Sequence, residues 1–405
     1  MFLISLPTYA PASLAVKLTA TGERSLRSGH PWIFSESIEK VNKEGVSGDV
    51  AVIFSHTKNK VIGVGLYDPD SPIRIKMIHH GGGATLDENF FSEKIAKAFA
   101  LRNELFETNT NSYRLIFGEN DGFPGFIADV YAEVLVVKLY SAIWLPYLKT
   151  ILTQLIEISE CDCVILRLSR NLQAIKSHGL EDGSVIYGVL KSEDVEFVEH
   201  GVQFSANVVK GHKTGYFLDH RHNRKRVGKL ASGKTVLDVF SYSGGFSVHA
   251  LVGGAKEVTS IDISTQALES ASVNANLNDF RGNHTTITGN AFDIMKDMIL
   301  RQRRFDIVVI DPPSFAKSKK EIGMATKKYI ELAQLGVQLT NLNGYLVLAS
   351  CSSRITSEMF FETIEKTLSE QPRSFSVLTK TGHDIDHPVT FKEGSYLKCG
   401  YYKIQ

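Results

Sequence analysis

Residues 236–264 constrain the fold of this chain more than any other stretch, and they read VLDVFSYSGGFSVHALVGGAKEVTSIDIS. A first apolar run ends in a turn that carries Gly244 and Gly245. The next residues have apolar side chains at helical spacing, and a second apolar run follows and ends at Asp262. Glycine allows the backbone to turn tightly and to approach a ligand closely. A carboxylate at the end of the following strand is placed to accept hydrogen bonds from ribose hydroxyls. The stretch therefore predicts a strand, a helix and a strand arranged around a cofactor site.

The glycine spacing argues against a dinucleotide at this site. The usual dinucleotide fingerprint reads G-x-G-x-x-G, whereas residues 240–246 read FSYSGGF, so a pyrophosphate has no obvious cradle. S-adenosylmethionine carries no phosphate and needs no such cradle. A nucleotide-dependent oxidoreductase is therefore the least favoured class of enzyme.

Size, charge and cysteine content narrow the class of protein further. A chain of 405 residues is long enough for two or three domains, and its formal net charge of +1 means that a nucleic-acid surface would have to be a local patch. No apolar run has the length of a membrane span and the N-terminal segment lacks a basic flank, which favours a cytoplasmic protein. Cys161, Cys163, Cys351 and Cys399 are too few and too irregularly spaced for a disulfide scaffold or a zinc site, so we expect reduced thiols and no metal.

The chain divides into three regions by its periodicity. Residues 1–80 contain short β-branched runs separated by glycine, proline and asparagine, which predict a small β-barrel. Residues 84–190 predict a small α+β domain, in which Thr85 or Asp87 caps the first helix. Residues 195–405 alternate strands with amphipathic helices, which predicts an α/β, Rossmann-like sheet covered on both faces. The last two strands lack an intervening helix and predict an antiparallel edge.

In such a sheet, ligands collect at the carboxyl ends of the strands, so the residues that end successive strands should face one crevice. The segments that do so are 240–246, Asp262, 289–293, 311–315 and 350–352. The segment 311–315 reads DPPSF, in which a carboxylate precedes two residues of fixed φ and so begins a stiff turn. Asp311 could serve as a simple turn acceptor, but the two prolines favour the wall of an active site.

Cys351 directly follows the apolar strand GYLVLAS. A lone cysteine after a buried strand is more often an inert core residue than a nucleophile. Here its thiol would share a crevice with the carboxylate of Asp311 and with a methyl donor. That combination suits methylation of an unactivated pyrimidine carbon, because addition of a thiolate to the ring makes the adjacent carbon nucleophilic.

Several strings resemble the bacterial PUA-domain-containing 23S rRNA cytosine-C5 methyltransferase family. They are ERSLRSGHPWIFS (23–35), NDGFPGFIADVY (120–131), GHKTGYFLDHRHNR (211–224), VLDVFSYSGGFSVHA (236–250), DPPSFAK (311–317), ASCSS (349–353) and YLKCG (396–400). The matches span most of the chain in the expected order. The resemblance implies an N-terminal PUA domain that binds RNA, a central α+β domain and a C-terminal class I methyltransferase that uses S-adenosylmethionine.

The resemblance also implies roles for individual residues. Cys351 would attack C6 of cytosine, and Asp311 would hydrogen-bond N3 of the ring. Cofactor contacts would come from Phe217, Asp219, Arg221, Phe240, Tyr242, Gly244, Asp262, Asn290, Ala291 and Asp311. Phe217 as a core residue and Asp219 as a helix cap stay open as alternatives. Other RNA cytosine-C5 methyltransferases carry a second cysteine that helps to release the product, and Ser314 stands at that position here, so the base that removes the C5 proton is unassigned.

The expected partner is 23S rRNA, free or within a large-subunit particle, and a homodimer stays open as a further association. Its target base must be unstacked to reach the thiol. Candidate RNA-binding residues combine positive charge with one aromatic ring: Arg24, Arg27, Trp32, Arg74, Lys213 and Arg224. Without the PUA resemblance, the four candidates in residues 1–80 would be interpreted as an ordinary solvated surface.

Two other functions compete with this interpretation. An RNA amino-group methyltransferase also uses an acidic residue and prolines at this strand end, but it usually places an aromatic ring directly after the prolines, where this chain has Ser314 and then Phe315. A nonenzymatic ribosome-assembly factor would keep the fold for binding alone. The intact motifs at each strand end favour an enzyme over the second alternative.

Overall fold

The computed structural model describes residues 2–7, 9–175 and 179–405. Backbone packing divides the chain into two compact units. Unit 1 comprises the chain up to Phe197 with residues 206–216 and 385–391, and unit 2 comprises residues 198–205, 217–384 and 392–405. The first two regions predicted from the sequence thus share one unit, and residues 195–197, 206–216 and 385–391 of the third join them. None of the helices formed by the described residues is long and apolar enough to cross a lipid bilayer.

The first sheet of unit 1 corresponds to the barrel predicted over residues 1–80. Its strands are β1 (Ser13–Leu18), β2 (Trp32–Ile33), β3 (Ile38–Val41), β4 (Val50–Phe54), β5 (Val61–Tyr67) and β6 (Ile75–His80). They form one mixed sheet in the order β2-β6-β5-β4-β1-β3, with β1 parallel to β4. Helix α1 (Ala20–Arg27), which the strand pattern did not predict, begins after Thr19, whose hydroxyl accepts a hydrogen bond from the Gly22 amide.

The second sheet of unit 1 is the core of the predicted α+β region. Its strands are β7 (Ser112–Phe117), β8 (Phe126–Tyr131), β9 (Val134–Leu139), β10 (Cys163–Leu168) and β11 (Ser184–Tyr187), in the order β11-β10-β9-β8-β7. Its helices are α2 (Glu88–Ala100), α3 (Asn103–Phe106), α4 (Leu148–Ser159) and α5 (Arg170–Ala174). Asp87 caps α2 by accepting a hydrogen bond from the Phe90 amide. Cys161 and Cys163 are both buried, as the strand pattern predicts.

Unit 2 contains the predicted Rossmann-like sheet. Its strands are β14 (Thr235–Val239), β15 (Glu257–Asp262), β16 (Asn283–Thr288), β17 (Phe305–Ile310), β18 (Thr340–Ser350), β19 (Phe375–Thr381) and β20 (Lys398–Ile404). Its helices are α6 (Arg221–Leu230), α7 (Gly245–Val252), α8 (Thr265–Asn276), α9 (Ala291–Leu300), α10 (Ile322–Leu339) and α11 (Ser357–Ser369). Strands β12 (Asp194–Glu199) and β13 (Val202–Asn207) form a separate two-stranded sheet.

The large sheet has the order β16-β15-β14-β17-β18-β20-β19. Strands β14 to β18 are parallel, whereas β20 runs antiparallel to both β18 and β19. The predicted antiparallel edge is therefore confirmed. Buried side chains of α9, α10 and α11 form one hydrophobic core with the parallel strands.

Candidate active site

The register of the large sheet brings the predicted site segments to one edge. Val239, the last residue of β14, lies opposite Ile261 of β15 and Ile310 of β17. Ile310 in turn lies opposite Leu348, two residues before the end of β18. The turn after β14, Asp262, Asp311 and Cys351 thus follow aligned strand ends, as expected for ligand-binding residues of an open α/β sheet.

The turn after β14 has an unusual backbone. Phe240 and Tyr242 have φ values of 64° and 48°, although neither residue is glycine. Such conformations cost on the order of 1–3 kcal/mol each and concentrate at functional sites. The Tyr242 amide donates to the carboxylate of Asp262 over 2.9 Å, which fixes the turn against the end of β15.

Gly244 is required by the packing of this turn. Its φ is 78°, and a Cβ atom placed on it would lie 2.8 Å from Cβ of Ala271 on α8. The sequence suggested that glycine here lets the backbone approach a ligand. The structure gives a different reason, since the left-handed conformation and the close approach of α8 already exclude a larger residue.

Three polar groups around the turn lack a hydrogen-bond partner among the described residues. They are the buried hydroxyls of Ser241 and Ser243 and the Oδ1 atom of Asp238. The other oxygen of Asp238 accepts hydrogen bonds from the Ser247 amide and hydroxyl. Burial raises the pKa of Asp238 to about 7, against the effect of the Ser247 hydrogen bonds. Unpaired buried polar groups are costly, so their clustering marks a place where a polar ligand can complete the bonding.

The ends of β15 and β16 carry the other predicted cofactor residues. Asp262 also accepts a hydrogen bond from the Ser264 amide over 2.9 Å. Asn290 caps α9 by accepting from the Phe292 amide over 2.9 Å, and Ala291 is buried. Sequence reasoning missed Ile263, whose side chain is 76% exposed directly after Asp262. An exposed branched apolar side chain at a strand end suits the face of a flat ring.

Phe217 and Asp219, two of the predicted cofactor contacts, lie at the start of the longest segment of unit 2, residues 217–384. Phe217 is half-buried, and its ring packs edge-on against Tyr242 with the centroids 5.2 Å apart. The carboxylate of Asp219 accepts a hydrogen bond from the Tyr396 hydroxyl over 2.8 Å, and α6 begins without a side-chain cap. Asp219 thus does not provide a side-chain cap for α6, and contact of Phe217 or Asp219 with the cofactor stays a prediction.

Arg221 does not face open solvent. Its side chain is fully buried, and its guanidinium lies 3.2 Å from the carboxylate of Asp384. A buried ion pair of this kind holds the start of α6 in place. The observed contact supports a structural role for Arg221, and direct contact with a cofactor stays a prediction.

Asp311 lies beside His220, the residue that precedes α6. Nε2 of the buried His220 is 3.4 Å from a carboxylate oxygen of Asp311. The amide nitrogen of Asn223 lies 3.1 Å from Nδ1 of His220, while the amide oxygen accepts from the hydroxyls of Thr381 and Tyr401. Burial lowers the pKa of His220, but the Asp311 carboxylate more than offsets this effect and raises it, which favours a proton on Nε2 toward Asp311. His220 is therefore an orienting partner of Asp311.

Cys351 is half-buried, unlike the other three cysteines. Its thiol lies 3.6 Å from the carbonyl oxygen of Pro312, the residue after Asp311. The next residue, Ser352, donates from its hydroxyl to the Ala316 carbonyl over 3.3 Å. These contacts tie the end of β18 to the proline turn, and they place the predicted nucleophile next to the predicted acidic wall.

The structure corrects the assignment of Arg224 to RNA binding. Its side chain is 4% exposed, and it donates two hydrogen bonds to the fully buried carboxylate of Glu199, at 2.7 and 2.6 Å. His249 contacts the same carboxylate over 2.9 Å. The paired charges hold the pKa of Glu199 below its usual value despite burial. A guanidinium committed in this way is not available to a phosphate.

The other candidate RNA-binding residues lie in unit 1. Arg27 is exposed and paired with Glu23, and Lys213 is exposed. Arg24 donates to Thr21, and Arg74 donates to carbonyls of its own loop. The Trp32 indole donates to Glu119 over 3.0 Å and is half-buried. RNA contact by this group stays a prediction.

Comparison with known proteins agrees with the fold and the site. Residues 16–80 match the family of PUA-like domains, and residues 122–378 match the family described as S-adenosylmethionine-dependent methyltransferases. The ribosomal RNA large subunit methyltransferase of Deinococcus radiodurans is 38% identical over 408 residues, which cover 99% of this chain and 100% of that protein. Ribosomal RNA large subunit methyltransferase I of Shewanella frigidimarina is 34% identical, with 95% and 98% covered.

A solved methyltransferase, SMU.776 in complex with SAH, has the same fold, with a TM-score of 0.80, 23% identity, and coverage of 97% of this chain and 100% of that chain. The predictions of an α/β methyltransferase domain, a PUA-like domain, an RNA methyltransferase and S-adenosylmethionine as cofactor are confirmed. This chain, with a PUA-like domain followed by an S-adenosylmethionine-dependent methyltransferase domain, therefore belongs to the ribosomal RNA large subunit methyltransferase family.

Proposed function

We propose that this protein forms 5-methylcytosine in 23S rRNA through a covalent adduct between Cys351 and C6 of the target cytosine. The observation that carries the proposal is the contact between the Cys351 thiol and the Pro312 carbonyl, 3.6 Å apart, beside Asp311. Amino-group methylation has no use for a thiol in this position, whereas methylation of a pyrimidine carbon requires a nucleophile. An rRNA substrate would place the protein in the cytoplasm.

The residues around the turn after β14 fit S-adenosylmethionine. The unpaired hydroxyls of Ser241 and Ser243 suit the amino and carboxylate groups of its methionine portion, Asp262 suits the ribose, and the exposed face of Ile263 suits the adenine. When bound, the cofactor supplies an electrophilic methyl group on its sulfonium sulfur. Phe217, packed on Tyr242, would limit the access of water to that group.

Cys351 and Asp311 would act in successive steps of one reaction. The thiolate adds to C6, and the electron pair of the C5–C6 double bond makes C5 nucleophilic while negative charge develops on the ring. A proton shared between the Asp311 carboxyl group, which His220 orients, and N3 of the ring would neutralise the charge that accumulates at that edge. C5 then takes the methyl group as the S–CH3 bond of the sulfonium breaks. Transfer of the C5 proton to a water molecule restores the C5–C6 double bond and expels the Cys351 thiolate.

One contact disfavours the competing amino-group methyltransferase. Such an enzyme needs an aromatic ring beside the prolines that is free to stack on the target base. Here the Phe315 ring packs edge-on against Tyr329, with the centroids 5.4 Å apart, and the Lys328 ammonium lies 4.7 Å from its centre. Ser314, the residue directly after the prolines, carries no ring. Within residues 312–315, which the structure describes in full, the ring that could stack on a base is thus already in contact with Tyr329 and Lys328, which favours the cytosine-C5 mechanism.

A lysine-rich segment beside the proline turn supports RNA as the partner. Residues 317–328 contain five lysines and a single acidic residue, Glu321, which is occupied in capping the turn at Ser318. Lys317, Lys319, Lys320 and Lys327 are exposed. Phosphates on either side of an unstacked base in the crevice would meet this positive surface. It takes the place of the buried Arg224 as the phosphate-binding candidate of unit 2.

We expect the double substitution Lys319→Glu/Lys320→Glu to weaken rRNA binding at least about tenfold near 0.1 M salt. Because each lost phosphate contact on a single strand lowers the salt slope by about 0.7, the slope of log Kd against log salt should fall by about 1.4. Filter binding across a salt series measures both quantities. The matched control is Lys229→Glu/Lys366→Glu, which makes the same charge change at two exposed sites of unit 2. Equal losses in the two double variants would contradict a specific role for the segment.

The product of the reaction tests the proposed function directly. Purified protein is incubated with isotopically labelled S-adenosylmethionine and either 23S rRNA or large subunits, and the digested nucleosides are identified by mass spectrometry. We expect a single labelled nucleoside, 5-methylcytidine. Labelled methyladenosine or methylguanosine would refute the proposal in favour of the amino-group enzyme. Cofactor binding with no labelled product on either substrate would refute it in favour of a nonenzymatic factor.

A further inference from the structure

Lys398 is a buried lysine next to the end of β18. Its residue is 1% exposed, and it begins β20, where it lies opposite Ser350 in the antiparallel ladder. Its ammonium donates to the carbonyl oxygen of Ser352 over 2.5 Å and to that of Tyr396 over 2.9 Å. Ser350 and Ser352 flank Cys351 in sequence, so the charge of Lys398 is attached to the backbone that carries the thiol.

This lysine lacks the partner that a buried cation ordinarily has. Among the residues that the structure describes, Lys398 forms no ion pair with an aspartate or a glutamate. The two carbonyl groups engage two of the three N–H donors of an ammonium. A buried charge without a counter-charge is expensive, and a neutral side chain of similar length would remove the cost. A lysine at this position is explained if a negatively charged group forms beside its ammonium during the reaction.

Three ionisable groups lie beside the segment that carries Cys351. The Lys398 ammonium is bonded to the Ser352 carbonyl, the Tyr329 hydroxyl lies 2.8 Å from that of Ser350, and Asp311 precedes Pro312, whose carbonyl is 3.6 Å from the thiol. Burial lowers the pKa of Lys398 to about 8, and negative charge on Cys351 acts in the opposite direction. The pKa of Tyr329 is raised by burial, so the phenol stays neutral. Lys398 is thus the cation whose pKa a negative charge on the Cys351 sulfur would raise.

We propose that Lys398 is a positioning residue that stabilises the thiolate form of Cys351 and so prepares it to attack C6 of cytosine. A thiolate is the reactive form, and a neighbouring cation is one of the established ways to favour it at neutral pH. When the thiolate adds to the pyrimidine, its charge leaves the sulfur, and the same cation favours its return when the product is released. The inference rests on the proposed function only for its consequence in catalysis, because the ion pair itself can be measured without RNA.

The test measures alkylation of Cys351 by iodoacetamide in the RNA-free protein as a function of pH, with the modified peptide quantified by mass spectrometry. We expect Lys398→Met to raise the midpoint of the rate profile by at least about one pH unit, which is a tenfold loss of thiolate below the midpoint. Lys398→Arg keeps the charge, so its midpoint should stay close to that of the wild type. Lys403→Met on the same strand is the matched control and should leave the profile unchanged.

A reciprocal measurement covers the case in which Lys398→Met does not fold. Linkage requires that the thiolate raise the protonation midpoint of Lys398 as much as the ammonium lowers that of the thiol. In Cys351→Ala the midpoint of Lys398, followed by the NMR shift of its ε-carbon, should therefore fall by a similar amount. An unchanged alkylation profile in folded Lys398→Met, or an unchanged Lys398 midpoint in Cys351→Ala, would overturn the inference. Neither result depends on which nucleoside the enzyme makes.

Discussion

Replacement of Cys351 by alanine should lower the rate of methyl transfer to rRNA at least about 10³-fold while the affinity for S-adenosylmethionine stays within about twofold of the wild type. The adduct at C6 is what makes C5 nucleophilic, and the neighbouring thiol of Cys399, opposite Ala349 in the ladder, is fully buried. Cys351→Ser should be equally inactive, because a serine hydroxyl has a much higher pKa than a thiol. Single-turnover methylation and calorimetric cofactor titration measure the two quantities.

A trapping experiment separates the thiol mechanism from a general loss of activity. With rRNA that contains 5-fluorocytidine, the C5 fluorine cannot leave as a proton would, so the adduct should persist as a covalent complex of protein and RNA. We expect this complex with the wild type and with Cys161→Ala, the cysteine control in unit 1, and not with Cys351→Ala. Methylation at the wild-type rate by Cys351→Ala would contradict the mechanism.

The second large effect concerns stability. We expect Arg224→Met to lower the free energy of unfolding of unit 2 by about 3–5 kcal/mol, because the carboxylate of Glu199 would remain buried without the two hydrogen bonds that it accepts from the guanidinium. Both tryptophans, Trp32 and Trp144, lie in unit 1, so tryptophan fluorescence would not report on this change. Urea titration followed by circular dichroism, with hydrogen exchange of α6 peptides, is the appropriate measurement.

The control for this prediction lies one half-turn along the same helix. Arg226→Met removes the same charge from an exposed side chain and should cost less than about 1 kcal/mol. Glu199→Gln combined with Arg224→Met should recover part of the loss, because the unpaired charge is then absent. If Arg224→Met were as stable as Arg226→Met and instead weakened rRNA binding, the phosphate-binding role first inferred from the sequence would be correct.

The strand ends of the large sheet were predictable from sequence because their pattern is local. A buried parallel strand reads as a continuous apolar run, and the residue that ends it stands where a ligand binds. Asp262, Asp311 and Cys351 were located in this way, and the register of the sheet aligns the strands that they follow. The missing helix between the last two strands was likewise enough to predict their antiparallel pairing.

The orientation of α6 was not predictable by the same means. Residues 220–226 read HRHNRKR, which has the composition of a solvated basic surface. The structure buries Arg221 and Arg224, which are three positions apart on one helical face, against Asp384 and Glu199. These partners lie 163 and 25 residues away in sequence. The spacing of Arg221 and Arg224 indicates that they share one face of the helix. Only the tertiary contacts show that this face is buried and that each arginine pairs with a carboxylate, so that it is not available to bind a phosphate.

The position of β20 has a consequence for the order of folding. This strand follows both β18 and β19 in sequence, yet it lies between them in the sheet. Strand β19 therefore joins the large sheet only through residues 398–404, which pair with both strands. Such a late, long-range pairing is slow to form compared with local contacts. Because Lys398 enters with β20, a partly folded chain already carries Cys351 but has not yet acquired the cation proposed to make it reactive.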